Sequence, residues 1–255
     1  MIETRRPAPG ETLFIADLHL SPERPATWRL FLAFLGGRAR HADRLYILGD
    51  LFDAWIGDDD DSPCYLAVRA GLRDLTAAGT ACTLLPGNRD FLLGRAFCRD
   101  TGATLGRDPT VASFNGIRTL LMHGDLLCTD DLDYLRFRRR VRNPLVKRLF
   151  LWKSLKARRA IAEDYRRRSG AAMSDKTAVI MDAHPAAVAD YLRRFTATHL
   201  IHGHTHRPAD HELTHHGQPA RRSVLAQWHD ERGEVLVHRA GVWRREPVLT
   251  TGTPD

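Results

Sequence analysis

Cysteine is scarce and scattered: Cys64, Cys82, Cys98 and Cys128 form no CxxC pair. That spacing argues against a disulfide framework and against thiolate-held structural zinc, and it fits free thiols in a reducing cytoplasm. Long apolar runs are missing as well. The stretch "LFLAFL" at 30–35 is typical of the longest, well short of the roughly 20 apolar residues that cross a bilayer. The segment "MIETRRPAPG" holds no apolar core of a signal peptide, so no secretory signal is expected. Repeats are absent, and low complexity is confined to "GDDDD" at 57–61.

What remains is the composition of a folded globular protein, with 43% hydrophobic and 27% charged residues. A chain of 255 residues can bury one large core, in one or two domains. The net charge of +7 is unevenly spread: Arg136–Arg168 holds 14 Lys/Arg against Glu163 and Asp164. With +12 concentrated there, the rest of the chain is left at −5. One basic block on a mildly acidic body points to a local device for an anionic surface or ligand.

Short apolar runs at 12–16, 44–48 and 80–85 read as buried strands, each followed by a polar loop. Helix-spaced apolar residues cover 26–37 and 63–78. The run 110–122 reads as a hairpin turning at Asn115-Gly116. Further strands are expected at 198–203, 221–228 and 234–239. Strand, loop and helix in alternation predict an α/β fold with mixed sheets.

Residues 129–170 break that rhythm. Thr129, Asp130 or Asp131 can cap a first helix. Asn143-Pro144 ends it and opens a second, in which Leu145, Leu149, Trp152 and Leu155 share one face and cations fill the other. Two readings stand: a helical hairpin lying on its own domain, or a basic amphipathic cap that meets lipid.

Five strand tips carry metal-type ligands: "ADLH" (Asp17, His19), "LGD" (Asp50), "GNRD" (Asn88), "MHGD" (His123) and "HGHTH" (His204, His206). Singly each is a weak signal, because a lone histidine at a strand end is usually structural. Together they predict a metal centre where ligands gather in α/β sheets. Seven ligands exceed the four of one tetrahedral zinc, so two ions are expected. Nitrogen and oxygen donors without thiolate suit manganese, iron or zinc pairs, with manganese favoured by the oxygens. Such a pair lowers the pKa of bound water and clamps a phosphoryl group.

The order D-x-H, G-D, G-N, H and G-H-x-H resembles the calcineurin-like metallophosphoesterases. The resemblance implies two mixed sheets flanked by helices, with a catalytic domain over 1–128 and 171–255 and a helical-hairpin cap at 129–170. It also implies that Asp17, His19, Asp50 and His206 hold one ion. Asp50 bridges to a second, held by Asn88, His123 and His204. Where most of the family has histidine after the asparagine, this chain has Arg89. A phosphate leaving group needs no proton, since its second pKa is roughly 6. A permanent cation can grip it. Arg89 therefore argues for a diphosphate substrate, with a structural arginine as the alternative.

"GNRD", "GDLFDAWIGDD", "HGDLLCTDD" and the basic insertion make nearly the whole chain similar to a narrower group. Its members are the diphosphatases acting on UDP-2,3-diacylglucosamine in Gram-negative lipid A biosynthesis. That likeness implies two manganese ions and release of UMP, with Asn88 and Arg89 catalytic. It implies a peripheral place on the cytoplasmic face of the anionic inner membrane. Substrate contacts would come from Asn88, Arg89, Asp131, Tyr134, Arg166, Ser169, Lys176 and His204, with Met173 a weaker candidate because relatives often carry asparagine there. No nucleic acid and no obligate protein partner is expected.

Blander readings apply elsewhere. Asp58–Asp61 reads as a solvated acidic loop or a divalent site, and His211, His215 and His216 as solvated or strand-end residues. Asp90 and Asp125 either orient ligating imidazoles or serve local turns. Trp228 belongs to the core. A nuclease or general phosphodiesterase is the competing activity, although the aromatic platforms of single-strand binders are lacking. A non-catalytic scaffold would have lost ligands, and all seven positions are filled.

Overall fold

The computed structural model describes residues 10–174, 182–215 and 217–249. In chain order the elements begin with β1 (Thr12–Ile15), α1 (Pro25–Gly36), β2 (Arg44–Leu48), α2 (Pro63–Ala77) and β3 (Ala81–Leu85). Next come α3 (Arg95–Thr101), β4 (Thr104–Leu105), β5 (Thr110–Phe114) and β6 (Ile117–Leu121). The insertion forms α4 (Leu132–Val141), α5 (Pro144–Leu151) and α6 (Leu155–Ser174). The chain continues with α7 (Pro185–Phe195), β7 (His199–His202), β8 (Ala209–His215), β9 (Gln218–Val224), β10 (Arg232–Arg239) and β11 (Val242–Leu249).

Two mixed sheets result. One has the order β11-β10-β1-β2-β3-β4 and the other β5-β6-β7-β9-β8. The expected α/β sandwich is what forms. Strand alternation explains its layers, because successive side chains point to opposite faces. Leu13 and Ile15 join the core under α1 and α2, while Phe14 and Ala16 face the second sheet. Between the sheets Phe14 stacks on Tyr46 and meets Phe114 edge-on, with ring centroids 5.3 and 5.2 Å away. Truncating so enclosed a ring costs about 3–5 kcal/mol. A third core, of Leu120, Met122, Val188, Leu192 and Leu200, lies under α7. Trp228 is fully buried against Phe31 and Phe34, as expected for a core residue.

Proline starts four helices, at Pro25, Pro63, Pro144 and Pro185. Its missing N–H is no loss in a first turn. The insertion departs from a two-helix hairpin: the second helix stops at Leu151, and Leu155 opens a third. Ser154 causes the break, its hydroxyl accepting the Ala157 amide at 3.3 Å. The strand expected over 221–228 also shifts. β9 starts at Gln218 and ends at Val224; Leu225 N makes the last bond to β7, at His202 O, and Trp228 N then turns to Asp17 O. No helix among the described residues is long and apolar enough to cross a membrane.

Candidate metal centre

β1, β2 and β3 run parallel in the first sheet, and β6 and β7 run parallel in the second. Their C-terminal ends meet along one rim, where all seven expected ligands stand. Hydrogen bonds tie the rim together, first within the second sheet and then across to the first. His123 O accepts from Gly203 N at 2.8 Å, and the Asp17 carboxylate accepts from His204 N at 2.8 Å.

Asp17, His19 and His206 offer donor atoms all within 4.8 Å of one another, as do Asp17, Asp50 and His123. The Asp50 oxygens face different rings: Oδ2 lies 3.8 Å from His19 Nδ1, and Oδ1 lies 3.7 Å from His123 Nε2. Asn88 Oδ1 sits 2.8 Å from His123 Nε2, and the His123 and His204 ring centroids are 4.9 Å apart. His123 Nδ1 lies 3.0 Å from Leu48 O, which leaves Nε2 for the centre.

Holding this arrangement strains the chain. Asp17, His19, Asp50, His204 and His206 all have positive φ, between 48° and 69°. Left-handed backbone costs an L-residue roughly 1–2 kcal/mol, and such strain clusters at functional sites. Glycine supplies the room. A Cβ at Gly87 would strike the Asp50 carboxylate, one at Gly203 the Asp17 carboxylate, and one at Gly49 the His123 ring.

The charges are strongly coupled. Burial opposes ionisation of Asp17, yet the His206 contact and the neighbouring imidazoles hold it down at about 2. Burial pushes Asp50 up to about 7. Burial disfavours charge on His123, but Asp50, Asp17, Asp125 and Asp108 outweigh it and raise the ring to about 9. His204 is pushed down to about 3, by burial first and His123 second.

The donor set fits divalent metal. Among the described residues, Asp17 Oδ1 and His19 Nδ1 are buried without hydrogen-bond partners, a costly condition that a cation relieves. The set is rich in carboxylate, amide and imidazole donors and lacks thiolate.

The model of the calcineurin-like phosphoesterases matches residues 11–208. The chain belongs to that family. Among curated relatives is a UDP-2,3-diacylglucosamine hydrolase of Enterobacter sp. (strain 638), 50% identical over 231 residues, 91% of this chain and 96% of the relative. Proteins of the same name from Klebsiella pneumoniae and Yersinia enterocolitica are 51% and 48% identical over 226 residues, 89% of this chain and 94% of each relative.

In this calcineurin-like phosphoesterase, Arg89 is neither buried nor unopposed. Its Nη1 donates to Asp53 at 2.6 Å, and its Nε lies 3.7 Å from Asp50. Asp53 also receives Arg166 at 2.5 Å, which sets two guanidinium groups side by side. Asp131 caps α4, accepting Tyr134 N at 3.2 Å. The Tyr134 hydroxyl donates to Asp125, and its ring centroid is 6.3 Å from that of His204. Ser169 and Met173 lie in the last turns of α6, where side chains are not described. Lys176 and His216 lie outside the described residues, as does the side chain of His215. His211 is half-buried on β8.

Among the described residues, Asp90 and Asp125 bond no imidazole. Asp90 accepts the amides of Leu51 and Gly87 at 2.8 and 2.7 Å and so ties the Asp50 loop to the Asn88 loop. Asp125 takes Tyr134 and Arg138 from α4. The segment Asp58–Asp61 divides: Asp59 and Asp61 are exposed, as a solvated loop would be, while Asp58 and Asp60 are drawn in, and all four have partners. Asp58 accepts the amides of Gly94, Ala96 and Phe97. Asp59 pairs with Arg158, and Asp60 and Asp61 with Arg159. Sequence reasoning missed Asp53 and Asp108, whose carboxylates hold Arg89 and the His123 amide at 2.6 and 2.9 Å. Asp53 carried a faint signal, three residues after Asp50 in "GDLFD".

Helices α4, α5 and α6 grip the loops of the two sheets with their cations. Arg138, Arg142, Lys147, Arg158, Arg159 and Arg166 all reach acceptors on those loops. Their apolar side faces outward instead, with Leu145 70%, Leu149 60% and Trp152 86% exposed.

Proposed function

We propose that this chain hydrolyses the diphosphate of UDP-2,3-diacylglucosamine, giving UMP and 2,3-diacylglucosamine 1-phosphate for lipid A. The observation that carries this reading is 50% identity over 91% of the chain to a relative named for that substrate. In our assignment Asp17, His19, Asp50 and His206 hold one ion. Asn88, His123 and His204 hold a second, and Asp50 serves both. Two manganese ions suit these oxygen-rich donors. Bound there, they would supply Lewis acidity and a water of lowered pKa.

The residues of the chain do the rest. Attack at the α-phosphorus breaks its bond to the sugar 1-phosphate. That leaving group departs without a proton, so a fixed cation replaces a general acid. Arg89 is that cation. Asp53 aims it, and Arg166 beside it extends the grip to a second phosphate oxygen. Asn88 contributes a ligand without adding charge. Asp131, Tyr134, Ser169, Met173, Lys176 and His204 remain our assigned substrate contacts.

We assign 129–170 as a cap inserted between 1–128 and 171–255. Its outward leucines and Trp152 cover the acyl chains and meet the cytoplasmic face of the inner membrane. Arg139, Arg140, Arg148, Lys153 and Lys156 have no ion-pair partner among the described residues and are free for anionic headgroups. Each contributes about 1 kcal/mol near such a surface. Manganese-dependent release of UMP from purified UDP-2,3-diacylglucosamine is the expected result. Metal-loaded protein that leaves this lipid intact would overturn the assignment.

A further inference from the structure

Beside the centre, on the flank of the loop after β7, lies a cavity of about 210 Å³. Thr205, Arg207 and Pro208 come from that loop, Ala209 and His211 from β8, and the carboxylate Asp182 from the turn before α7. Arg222 and Val224 come from β9, where they pair across the ladder with His211 and Ala209. Thr205 stands in the chain between His204 and His206, so the cavity opens one residue from two candidate ligands. The volume is below the roughly 300–1,000 Å³ of pockets that enclose a whole drug-sized ligand. It suits a single ring.

Two polar atoms here are unsatisfied. Among the described residues, Arg222 Nε and Thr205 Oγ1 are buried without hydrogen-bond partners. Arg207, by contrast, is paired with Asp182 at 2.7 Å. Leaving a guanidinium N–H unmet is costly, so the cavity favours a guest bearing a carbonyl acceptor. Pro208, Ala209 and Val224 give apolar walls for the faces of a flat ring. Burial lowers the His211 pKa, and a neutral imidazole can accept from a ring N–H.

A substrate held at its phosphorus extends both ways. The cap's bonds described above go to the loops after β2, β3 and β6, which places the lipid half on that side. The nucleotide half is left with the flank after β7. We propose that this cavity seats the uracil ring of the nucleotide, with Arg222 donating to a ring carbonyl and His211 accepting from N3–H. The inference rests on the activity proposed above. Cytosine would set an amine where O4 stands and meet the guanidinium donor to donor.

Calorimetry on the manganese-loaded full chain tests this with UMP, CMP, ribose 5-phosphate and inorganic phosphate as probes. UMP should bind at least about 10-fold tighter than CMP or ribose 5-phosphate, the effect of one charge-assisted bond. Arg222→Met should bring the ratios near one, and His211→Ala should narrow them. Unchanged ratios in both variants, or no preference in the unaltered chain, would overturn the proposal. So would an equal weakening of UMP and phosphate, which would mark a site that reads only charge. If Arg222→Met fails to fold, Arg222→Lys and His211→Ala decide by the same ratios. UMP preference without turnover of the lipid would sink the proposed activity and leave the pocket standing. Turnover without the preference would do the reverse.

Discussion

Asp17 and Asp50 are shut away from solvent inside a ring of left-handed backbone, while Trp152 stands 86% exposed at the C-terminal end of α5. The first region is tied amide by amide: Asp90 fastens two loops, and Asp17 receives the amide of His204 from the other sheet. The second region touches the body through long, flexible cations. The contrast teaches where rigidity is spent. A site with buried carboxylates must stand in place beforehand, whereas the cover we propose for acyl chains would have to admit and release them.

The sharpest way to break the contrast is at Asp50. Asp50→Ala should lower kcat/KM by at least about 1,000-fold, since metal supplies several kcal/mol to the transition state. Elemental analysis should show less bound metal in that variant, and full loading would refute a shared ligand. Arg89→His comes next. Removing one preorganised donor costs about 100- to 1,000-fold, and metal content should hold while UMP release falls.

The cap should respond more gently. Arg158 is buried and donates to Ile56 O and Asp59. Arg158→Ala should loosen α6 by about 1–3 kcal/mol, read as faster amide exchange there than in β1. Equal exchange in both would mean the cap is not separately held. Leu149→Ser with Trp152→Ser should leave thermal stability within about 0.5 kcal/mol and weaken binding to anionic vesicles. Unchanged vesicle binding would remove the lipid-facing reading.

The smallest expected effect is one of pH. His123 is raised to about 9 in the metal-free chain by surrounding carboxylates that overcome burial. A folded pKa above the unfolded value stabilises below the unfolded value of about 6.5, and that stability is lost as pH climbs through 9. The metal-free unfolding midpoint should therefore fall between pH 7 and 9. The manganese-loaded chain should hold steadier, because its ligands are already deprotonated. On the acid side the sign reverses. His199 and His202 are held near 4 by burial, so stability drops as pH falls from 6.5 toward 4.

The gathering of the polar residues Asp17, His19, Asp50, His123 and His206 on one rim was legible because each stands locally as a polar tip on an apolar run. β1, β2, β3 and the hairpin of β5 and β6 were legible for the same reason. β8 and β11 were not: "ADHELTH" and "VWRREPVL" alternate polar and charged residues on exposed edges, and Pro247 sits where no ladder donor is needed. α7 carries the marks of a helix, with Pro185 at its start and Val188 and Leu192 on one face, yet it fell outside the expected elements. The partners of the cap were illegible in principle. Asp59 and Arg158 lie 99 residues apart, and charge pattern alone cannot say which acid meets which base.

The bond from His204 N to the Asp17 carboxylate is one of the stitches between the two sheets. Since residues assigned to both ions hang from it, the breathing of the sandwich and the spacing of the ions become a single coordinate. Gentle heating should therefore shed the ions before it melts any helix, and ion release would serve as an early gauge of the parting layers.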